Sequence, residues 1–268
     1  MPRITANGIN INYEQQGDGE ILILIPFLTA DNACYAFQVA EYAKHFTCIS
    51  LDLRGTGESD KPDGVITTEL YADDVVAFMQ AAGISRAHIS GLSLGGAIGI
   101  WLAAKHPDKV KSLSLHSAWT TSDQYLRTVV EGWQVMAKAL DSIPDLVIRG
   151  IFPWCFTPDL YATKYEHIQG LCDFVRSRPP MSVDAFMQQS DAVITHDVQS
   201  QLAKITAPTQ ITFGRHDQVT SLRYSEPLTS GIRNSKLTIF ETCSHAPIYE
   251  SVDEFNSKTL EFLKRHVD

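Results

Sequence analysis

The chain has 268 residues, of which 44% are hydrophobic and 20% are charged, so there is enough apolar material for one large core. The formal net charge of −9 and the lack of a basic patch argue against nucleic acid and against an anionic membrane surface as partners. The polar N-terminus has no apolar signal region, and the five cysteines lack paired or metal-ligand spacing, which predicts a cytoplasmic protein with reduced thiols and no metal site.

Short apolar runs alternate with helical patterns through most of the chain. We predict strands at residues 8–17, 20–27, 46–53, 86–92, 110–118, 208–217 and 235–245. We predict helices at residues 33–45, 67–84, 94–107 and 253–267. Strands that alternate with helices in this way indicate an α/β fold, with a mostly parallel central sheet covered by helices on both faces.

Residues 119–200 interrupt this alternation. The segment carries three of the four tryptophans and several helical patterns, but no clear strand. Because it lies between strands that carry the candidate chemistry, we expect it to form a helical cap or lid over the site. Residues 1–118 and 201–268 would then form the core. The alternative is that these helices simply pack on the core.

The sequence GLSLGG at residues 91–96 follows a predicted strand and precedes a predicted helix. A serine between glycines in this context indicates a nucleophile elbow, a sharp turn that exposes the Ser93 hydroxyl at the carboxyl edge of the sheet. The turn strains the backbone, and the three glycines provide the room that it needs. The amide of Leu94 would point to the place where an oxyanion forms. An ordinary tight turn that contains a serine is the alternative interpretation.

Two further residues follow later strands in the order that a nucleophile elbow requires. Asp217 lies just past one predicted strand and His245 just past the next, at the edge where open α/β sheets bind ligands. Ser93 would supply the attacking oxygen, His245 would accept its proton, and Asp217 would fix the imidazole tautomer. Taken singly, Asp217 could be a turn carboxylate and His245 an ordinary loop histidine. His216 is expected to be a bystander.

The chain resembles the α/β-hydrolase family over nearly its whole length. The resemblance rests on LDLRGTGESDKP at residues 51–62, GLSLGG at the elbow, GRHDQVT at the acid turn and SHAPIYE at the histidine loop. The overall pattern is similar to small carboxylesterases and 3-oxoadipate enol-lactonase-like enzymes. The resemblance implies the α/β-hydrolase fold, and it matches Ser93, Asp217 and His245 to the family's catalytic triad.

The chain departs from the family pattern in two loops. Where such hydrolases carry His-Gly after the second sheet strand, this chain has Pro26 and Phe27. The resemblance places the second oxyanion amide at Leu28, beside that of Leu94, with Phe27 as a pocket wall. If the family turn needs a positive φ at residue 27, then Phe27 is strained, the loop is rebuilt, or the donor shifts by one residue. Ser244 replaces a glycine before the histidine, which is a milder change.

These features predict a hydrolase that needs no cofactor and cleaves a small-molecule carboxylic ester or lactone through an acyl-enzyme on Ser93. No glycine-rich dinucleotide or phosphate loop is present, and the elbow residue is not the aspartate of haloalkane dehalogenases and epoxide hydrolases. The candidate walls of the substrate pocket, besides Phe27, are Trp119, Trp133 and Trp154. The sequence leaves a homo-oligomer open.

Two other functions remain compatible with these motifs. A C–C bond hydrolase acting on a diketone acid uses the same triad, but it needs cationic groups to hold a substrate carboxylate. The arginines that could supply one are Arg127, Arg149, Arg176 and Arg178. A non-catalytic ligand-binding receptor on the same fold can also retain the triad.

Overall fold

The computed structural model describes residues 2–267, and one eight-stranded sheet runs through this part of the chain. The strands are β1 (Arg3–Ala6), β2 (Ile9–Gln16), β3 (Glu20–Ile25), β4 (Phe46–Leu51), β5 (Ala87–Leu92), β6 (Val110–His116), β7 (Thr209–Gly214) and β8 (Ser235–Phe240). Their order in the sheet is β1-β2-β4-β3-β5-β6-β7-β8. The pairs β1–β2 and β2–β4 are antiparallel, and the other pairs are parallel. The sheet is therefore mostly parallel, as predicted.

Twelve α-helices lie between or after these strands within residues 2–267. They are α1 (Ala36–Tyr42), α2 (Thr68–Ala81), α3 (Leu94–Lys105), α4 (Gln124–Leu140), α5 (Ile143–Leu146), α6 (Phe152–Cys155), α7 (Pro158–Thr163), α8 (Tyr165–Ser177), α9 (Val183–Ile194), α10 (Ser225–Gly231), α11 (Pro247–Glu250) and α12 (Val252–Lys264). A π-helical turn over Val147–Ile151 joins α5 to α6. Among the described residues, no helix is both long and apolar enough to cross a membrane.

The central strands are buried on both faces, because helices cover both sides of the sheet. Side chains along a strand point alternately to these two sides. In β3, Ile23 and Ile25 belong to the apolar cluster that includes α2 and α3. Leu22 and Leu24 belong to the opposite cluster, with α1 and α12. A continuous apolar run therefore fits a strand covered by helices on both faces, and the predicted α/β fold is confirmed.

Helices α4 to α9 lie between β6 and β7, within residues 119–200, which we call the insertion. Its two ends meet at an isolated bridge between Thr121 and Asp197. Backbone hydrogen bonds flank that bridge, with Ser122 N donating to His196 O at 2.9 Å and Val198 N donating to Thr120 O at 2.8 Å. This narrow neck lets the insertion leave the sheet and return to it without adding a strand.

Several predicted boundaries differ from the structure. The strands predicted at 208–217 and 235–245 end earlier, at Gly214 and Phe240, so Asp217 and His245 lie in loops beyond the sheet. The physical reason is that the chain turns directly after each strand: the Asp217 amide donates to Gly214 O at 3.3 Å, and the Cys243 amide donates to Phe240 O at 3.3 Å. Strand β1 was not predicted, because its four residues RITA are too few and too polar to form a recognisable pattern.

Glycines pack α3 against the sheet so closely that a side chain cannot be added. A Cβ atom on Gly95 would lie 2.1 Å from the carbonyl oxygen of Ile25. By contrast, a Cβ atom on Gly170, inside α8, would have no atom within 4 Å.

We expect Gly95→Ala to lower the free energy of unfolding by about 3 kcal/mol, because helix and strand must separate to admit the methyl group. Gly170→Ala is the matched control. It should raise the free energy of unfolding by about 0.5–1 kcal/mol, since alanine restricts the unfolded chain and favours helix. Urea unfolding measures both values, and a Gly95→Ala variant as stable as the parent would contradict the packing described here.

His116 and His196 are two of the histidines that the fold buries. His116, at the end of β6, contacts Thr212 Oγ1 through Nδ1 at 2.8 Å and Ser90 Oγ through Nε2 at 3.1 Å. His196, in the neck of the insertion, contacts Thr68 Oγ1 through Nδ1 at 2.8 Å. Burial lowers the pKa of His116 to about 3 and that of His196 to about 4.

We expect the free energy of unfolding to fall as the pH drops from about 6.5 towards 4. Both folded-state pKa values lie below the unfolded value of about 6.5, so the unfolded chain binds more protons in this range. Each histidine contributes a slope of up to about 1.4 kcal/mol per pH unit. The side chain in His116→Gln can form hydrogen bonds but does not titrate. The free energy of unfolding of this variant, measured by urea unfolding at several pH values, should therefore depend less steeply on pH. Equal slopes in parent and variant would contradict this assignment.

Candidate active site

Ser93 lies at the junction between β5 and α3 with a strained backbone, at φ 53° and ψ −118°. A non-glycine residue in such a conformation costs about 1–3 kcal/mol and persists only where the surroundings impose it. Here the Ser93 amide donates to His116 O at 2.8 Å, which ties the turn to β6. A Cβ atom on Gly91 would lie 2.3 Å from the carbonyl carbon of Gly95. The turn therefore has the geometry of a nucleophile elbow, with glycine required beside the serine.

Asp217 and His245 form a hydrogen-bonded pair next to this turn. Asp217 follows β7, His245 follows the neighbouring parallel strand β8, and both side chains are buried. His245 Nδ1 lies 2.9 Å from Asp217 Oδ2. Because an ionised carboxylate only accepts, the imidazole donates through Nδ1, and Nε2 is the ring nitrogen that remains for another partner.

The environment of Asp217 keeps its carboxylate ionised. Burial acts to raise the pKa of Asp217, but the interactions with His245, Thr220 and Val219 together lower it, and the pKa falls below its usual value. The amides of Val219 and Thr220 donate to Asp217 Oδ1 at 2.8 and 3.0 Å. This arrangement suits a carboxylate that orients a histidine and stabilises its cation.

A second layer of hydroxyl groups joins the acid and histidine loops. Thr220 Oγ1 lies 2.9 Å from both Asp217 Oδ2 and the carbonyl oxygen of Ser117, and it donates to one of them. Ser117 Oγ donates to the carbonyl oxygen of His245 at 2.9 Å. Ser117 also has a positive φ of 46°. Neither residue was among the predicted site residues, although a threonine that follows an Asx-type turn is a detectable signal for Thr220.

The histidine loop is also anchored to the insertion. Ser244, which replaces the family glycine, donates its amide to Glu250 Oε1 at 2.5 Å. The other oxygen of Glu250 accepts from the amide and the hydroxyl of Thr157, each at 2.9 Å. Burial raises the pKa of Glu250, while these hydrogen bonds act in the opposite direction. The serine is therefore accommodated, and the half-buried Glu250 links the two segments, a role that was not predicted from the sequence.

Ser93 and His245 open into one cavity of about 70 Å³. Among the described residues, its remaining walls are almost entirely apolar. The insertion supplies Trp133, Val147, Ile151, Phe152, Cys155 and Phe156. The predicted site residues Phe27 and Leu28 also line this cavity, so the structure brings them together with the serine and the histidine.

A second cavity of about 80 Å³ adjoins the first. The walls common to both are Phe27, Thr29, Val147, Phe152 and Tyr249. Its charged lining residues within the described part of the chain are Asp31 and Arg178, whose Oδ2 and Nε atoms lie 2.7 Å apart. The site thus continues from the serine into an apolar chamber that has one arginine in its wall.

The other three candidate arginines lie elsewhere. Arg127 donates through Nε to the carbonyl oxygen of Ser122 at 2.8 Å. The exposed Arg149 and Arg176 pair with the acidic side chains of their own helical turns. None of the three lines either cavity among the residues that the structure describes.

In the loop after β3, Phe27 does not adopt the left-handed conformation that the first of the predicted alternatives requires. The positive φ falls on Thr29, at 69°, and not on Phe27. Ala30 N donates to Phe27 O at 3.1 Å, which closes a turn around Leu28 and Thr29. The Thr29 amide donates to Gln189 Oε1 at 2.7 Å, so it is occupied. Across residues 2–267 the amides of Leu28 and Leu94 donate no internal hydrogen bond, which leaves both available.

The three predicted tryptophan walls are placed differently from one another. Trp133 lines the cavity beside Ser93, and its Nε1 donates to Gly150 O at 3.1 Å. Trp119 is buried in the core instead, where Nε1 donates to Ser122 Oγ at 2.8 Å. Trp154 lines neither cavity among the described residues. The prediction for Trp119 is corrected for a physical reason: its indole is buried against Ser122 and His196 in the neck of the insertion and lines neither cavity among the described residues.

His216 is exposed and uses its backbone rather than its ring, with its carbonyl oxygen 3.2 Å from Ser244 Oγ. Over residues 2–267, no group of three or more histidine, cysteine, aspartate or glutamate side chains is arranged to hold a metal ion.

Comparisons with known proteins agree with this architecture. The sequence profile of the alpha/beta hydrolase fold family matches residues 24–160. The chain is 24% identical over 267 residues to the protein named "Putative carbamate hydrolase RutD" of Azorhizobium caulinodans, covering 98% of each chain. It is 26% identical over 265 residues to 2-hydroxy-6-oxo-6-phenylhexa-2,4-dienoate hydrolase of Comamonas testosteroni, covering 95% of this chain and 91% of the relative.

Among solved structures, the enol-lactonase from Burkholderia xenovorans LB400 matches with a TM-score of 0.88 and 25% identity, covering 98% of this chain and 100% of that one. The names of these three proteins describe three different reactions on one fold. The fold by itself therefore does not select the reaction.

Proposed function

The chain belongs to the alpha/beta hydrolase fold family, and on that premise we propose that it cleaves a carboxylic ester or lactone through an acyl-enzyme on Ser93. The observation that carries the proposal is that the strained Ser93 shares an enclosed apolar cavity with His245, whose Nδ1 is hydrogen-bonded to Asp217. A serine hydroxyl needs a base to become a good nucleophile, and an imidazole needs a carboxylate to stabilise its cation.

In the proposed mechanism, Ser93 Oγ attacks the substrate carbonyl carbon while His245 Nε2 takes the hydroxyl proton. The tetrahedral intermediate then collapses, and the leaving alkoxide receives that proton from His245. A water molecule, deprotonated by the same nitrogen, attacks the acyl-enzyme and releases the acid and Ser93. With a lactone, the alcohol formed in the first step remains part of the acyl group, so the second step releases a single hydroxy acid.

The amides of Leu94 and Leu28 are the proposed oxyanion donors. Leu94 is the first residue of α3, where the helix leaves its N–H groups without internal partners and its dipole favours negative charge. Leu28 lines the cavity, whereas Thr29 has its amide occupied and Pro26 has no N–H to donate. Together the two amides would hold the charge that develops on the carbonyl oxygen.

The insertion, residues 119–200, is proposed to act as a cap on a core formed by residues 1–118 and 201–268. The support is that six side chains of the insertion line the cavity of Ser93. Its volume of about 70 Å³ is far below the several hundred Å³ of drug-sized pockets, which favours a small acyl group or a small ring.

We expect Ser93→Ala to lower kcat for p-nitrophenyl acetate by about 10⁴-fold or more, because the nucleophile is removed. Asp217→Asn should lower kcat by about 10³–10⁴-fold, because the carboxylate that fixes the tautomer of the imidazole is lost. Steady-state kinetics and the rate of labelling by a fluorophosphonate probe measure these effects. Ser200→Ala, at an exposed position, is the matched control and should retain the parent rates.

A Ser93→Ala variant that kept more than about a tenth of the activity would rule out the acyl-enzyme. If the parent protein neither turned over any ester or lactone nor reacted with the fluorophosphonate, the ligand-binding receptor would become the better interpretation.

A second function, hydrolysis of a substrate that carries a carboxylate, is favoured by the position of Arg178. Of the four candidate arginines, it alone lines a cavity next to the site within residues 2–267. Asp31 engages its Nε, while its two terminal nitrogens have no internal acceptor among the described residues. A diketone acid for C–C cleavage would place its carboxylate there, as would an ester with an acidic end group.

We expect Arg178→Gln to raise KM for p-nitrophenyl hemisuccinate about tenfold and to change KM for p-nitrophenyl butyrate less than twofold. A hydrogen bond from a charged donor to a carboxylate contributes about 1.5–3 kcal/mol to binding. The butyrate ester has no carboxylate, so it makes no such bond that the substitution could remove. Arg176→Gln, on the exposed side of α8, is the control for the loss of a positive charge. Equal changes for the two esters would contradict a carboxylate site at Arg178.

A further inference from the structure

The turn that carries the proposed Leu28 donor is held in an unfavourable conformation. Thr29 has a φ of 69°, and β-branched residues are rare in this left-handed region. One backbone hydrogen bond, from Ala30 N to Phe27 O, closes the turn locally. A strained turn with one internal bond needs an outside contact to keep a single conformation.

That contact comes from the insertion. Gln189 lies on α9, its side chain is buried, and its Oε1 accepts from the Thr29 amide at 2.7 Å. The two residues are 160 positions apart in the chain. A buried amide that lost this acceptor would be left unsatisfied, so the turn would tend to rotate towards another partner.

Gln189 is restrained by burial, because its side chain is only 1% exposed. Its hydrogen bond to the Thr29 amide is the one that its side chain makes among the described residues, since its Nε2 is buried there without a partner. A side chain enclosed by the core in this way can fix the position of what it binds.

We propose that Gln189 is a positioning residue for the oxyanion loop: by holding the Thr29 amide from the insertion, it directs the neighbouring Leu28 amide towards the carbonyl oxygen at Ser93. This inference rests on the proposed function. It also gives the insertion a part in the chemistry, because a movement of α9 would turn the peptide that carries the donor.

The test compares Gln189→Met, which keeps the size but removes the acceptor, with Gln189→Glu, which keeps an acceptor oxygen. For p-nitrophenyl acetate we expect Gln189→Met to lower kcat about tenfold with KM within twofold of the parent, since a displaced donor costs less than the 10²–10³-fold of a deleted one. Gln189→Glu should stay within about threefold of the parent kcat, because its carboxyl oxygen can take the same hydrogen bond. Labelling by the fluorophosphonate should slow in parallel, since its phosphoryl oxygen occupies the same hole.

The matched control is Gln134→Met. Gln134 lies on α4 and donates to Ser190 Oγ at 2.8 Å and Asp191 Oδ1 at 2.7 Å, so this change also removes a glutamine contact within the insertion but touches neither cavity. Its kcat should equal that of the parent. If Gln134→Met lowers kcat as much as Gln189→Met, or if Gln189→Glu is as slow as Gln189→Met, the positioning role is wrong.

Amide hydrogen exchange in the parent protein gives a result that does not depend on any variant folding. The Thr29 amide should exchange at least about tenfold more slowly than the Leu28 amide, because only the former is hydrogen-bonded. Equal, fast exchange would overturn the inference. A parent protein without turnover or labelling would contradict the proposed function instead, and the exchange rates would still decide whether Gln189 holds the loop.

Discussion

The strained backbone at Ser93 is the constraint on which the rest of the site depends. A side chain at φ 53° must be held there by its surroundings, and β5 in the middle of the sheet and α3 behind it provide that hold. The close approach of α3 to β3, where Gly95 faces the carbonyl oxygen of Ile25, makes the hold rigid. The same approach leaves the N-terminus of α3, with its free amide at Leu94, beside the serine. The strain, the exposed position of the proposed nucleophile and that of the proposed oxyanion donor are thus consequences of one packing contact.

The parallel sheet then brings the remaining groups to the same edge. Asp217 and His245 follow neighbouring strands, so their loops leave the sheet side by side. The hydroxyl groups of Ser117 and Thr220 form hydrogen bonds that connect these loops to each other. None of these hydroxyl contacts is strong alone, at about 1 kcal/mol each. Their effect is geometric, since each removes a direction in which the imidazole could turn. A buried pair ordered in this way pays less to reorganise when charge develops.

The fold and the positions of the three predicted triad residues follow from local patterns, and those can be read in a sequence. Apolar runs identify the central strands, and a serine between glycines identifies the elbow, because each pattern reflects contacts within a few residues. Gln189 has no such signal, since its role depends on Thr29 at a distance of 160 positions. Trp119 shows the opposite error. A tryptophan in the insertion suggests a pocket wall, yet the Trp119 indole packs in the neck against Ser122 and His196. Those contacts depend on tertiary packing, which no local sequence pattern indicates.

The core and the insertion contribute different parts of the candidate site. The proposed triad lies at the sheet edge, while Trp133, Phe152 and their neighbours from the insertion form a large part of the cavity wall. Because these walls are apolar and exclude water, they strengthen every charge interaction at the serine. Substitutions in the insertion can therefore change the shape of the cavity and leave the pair of Asp217 and His245 intact. The contact between Gln189 and Thr29 limits that freedom, because the insertion cannot shift at α9 without also moving the loop that faces the nucleophile.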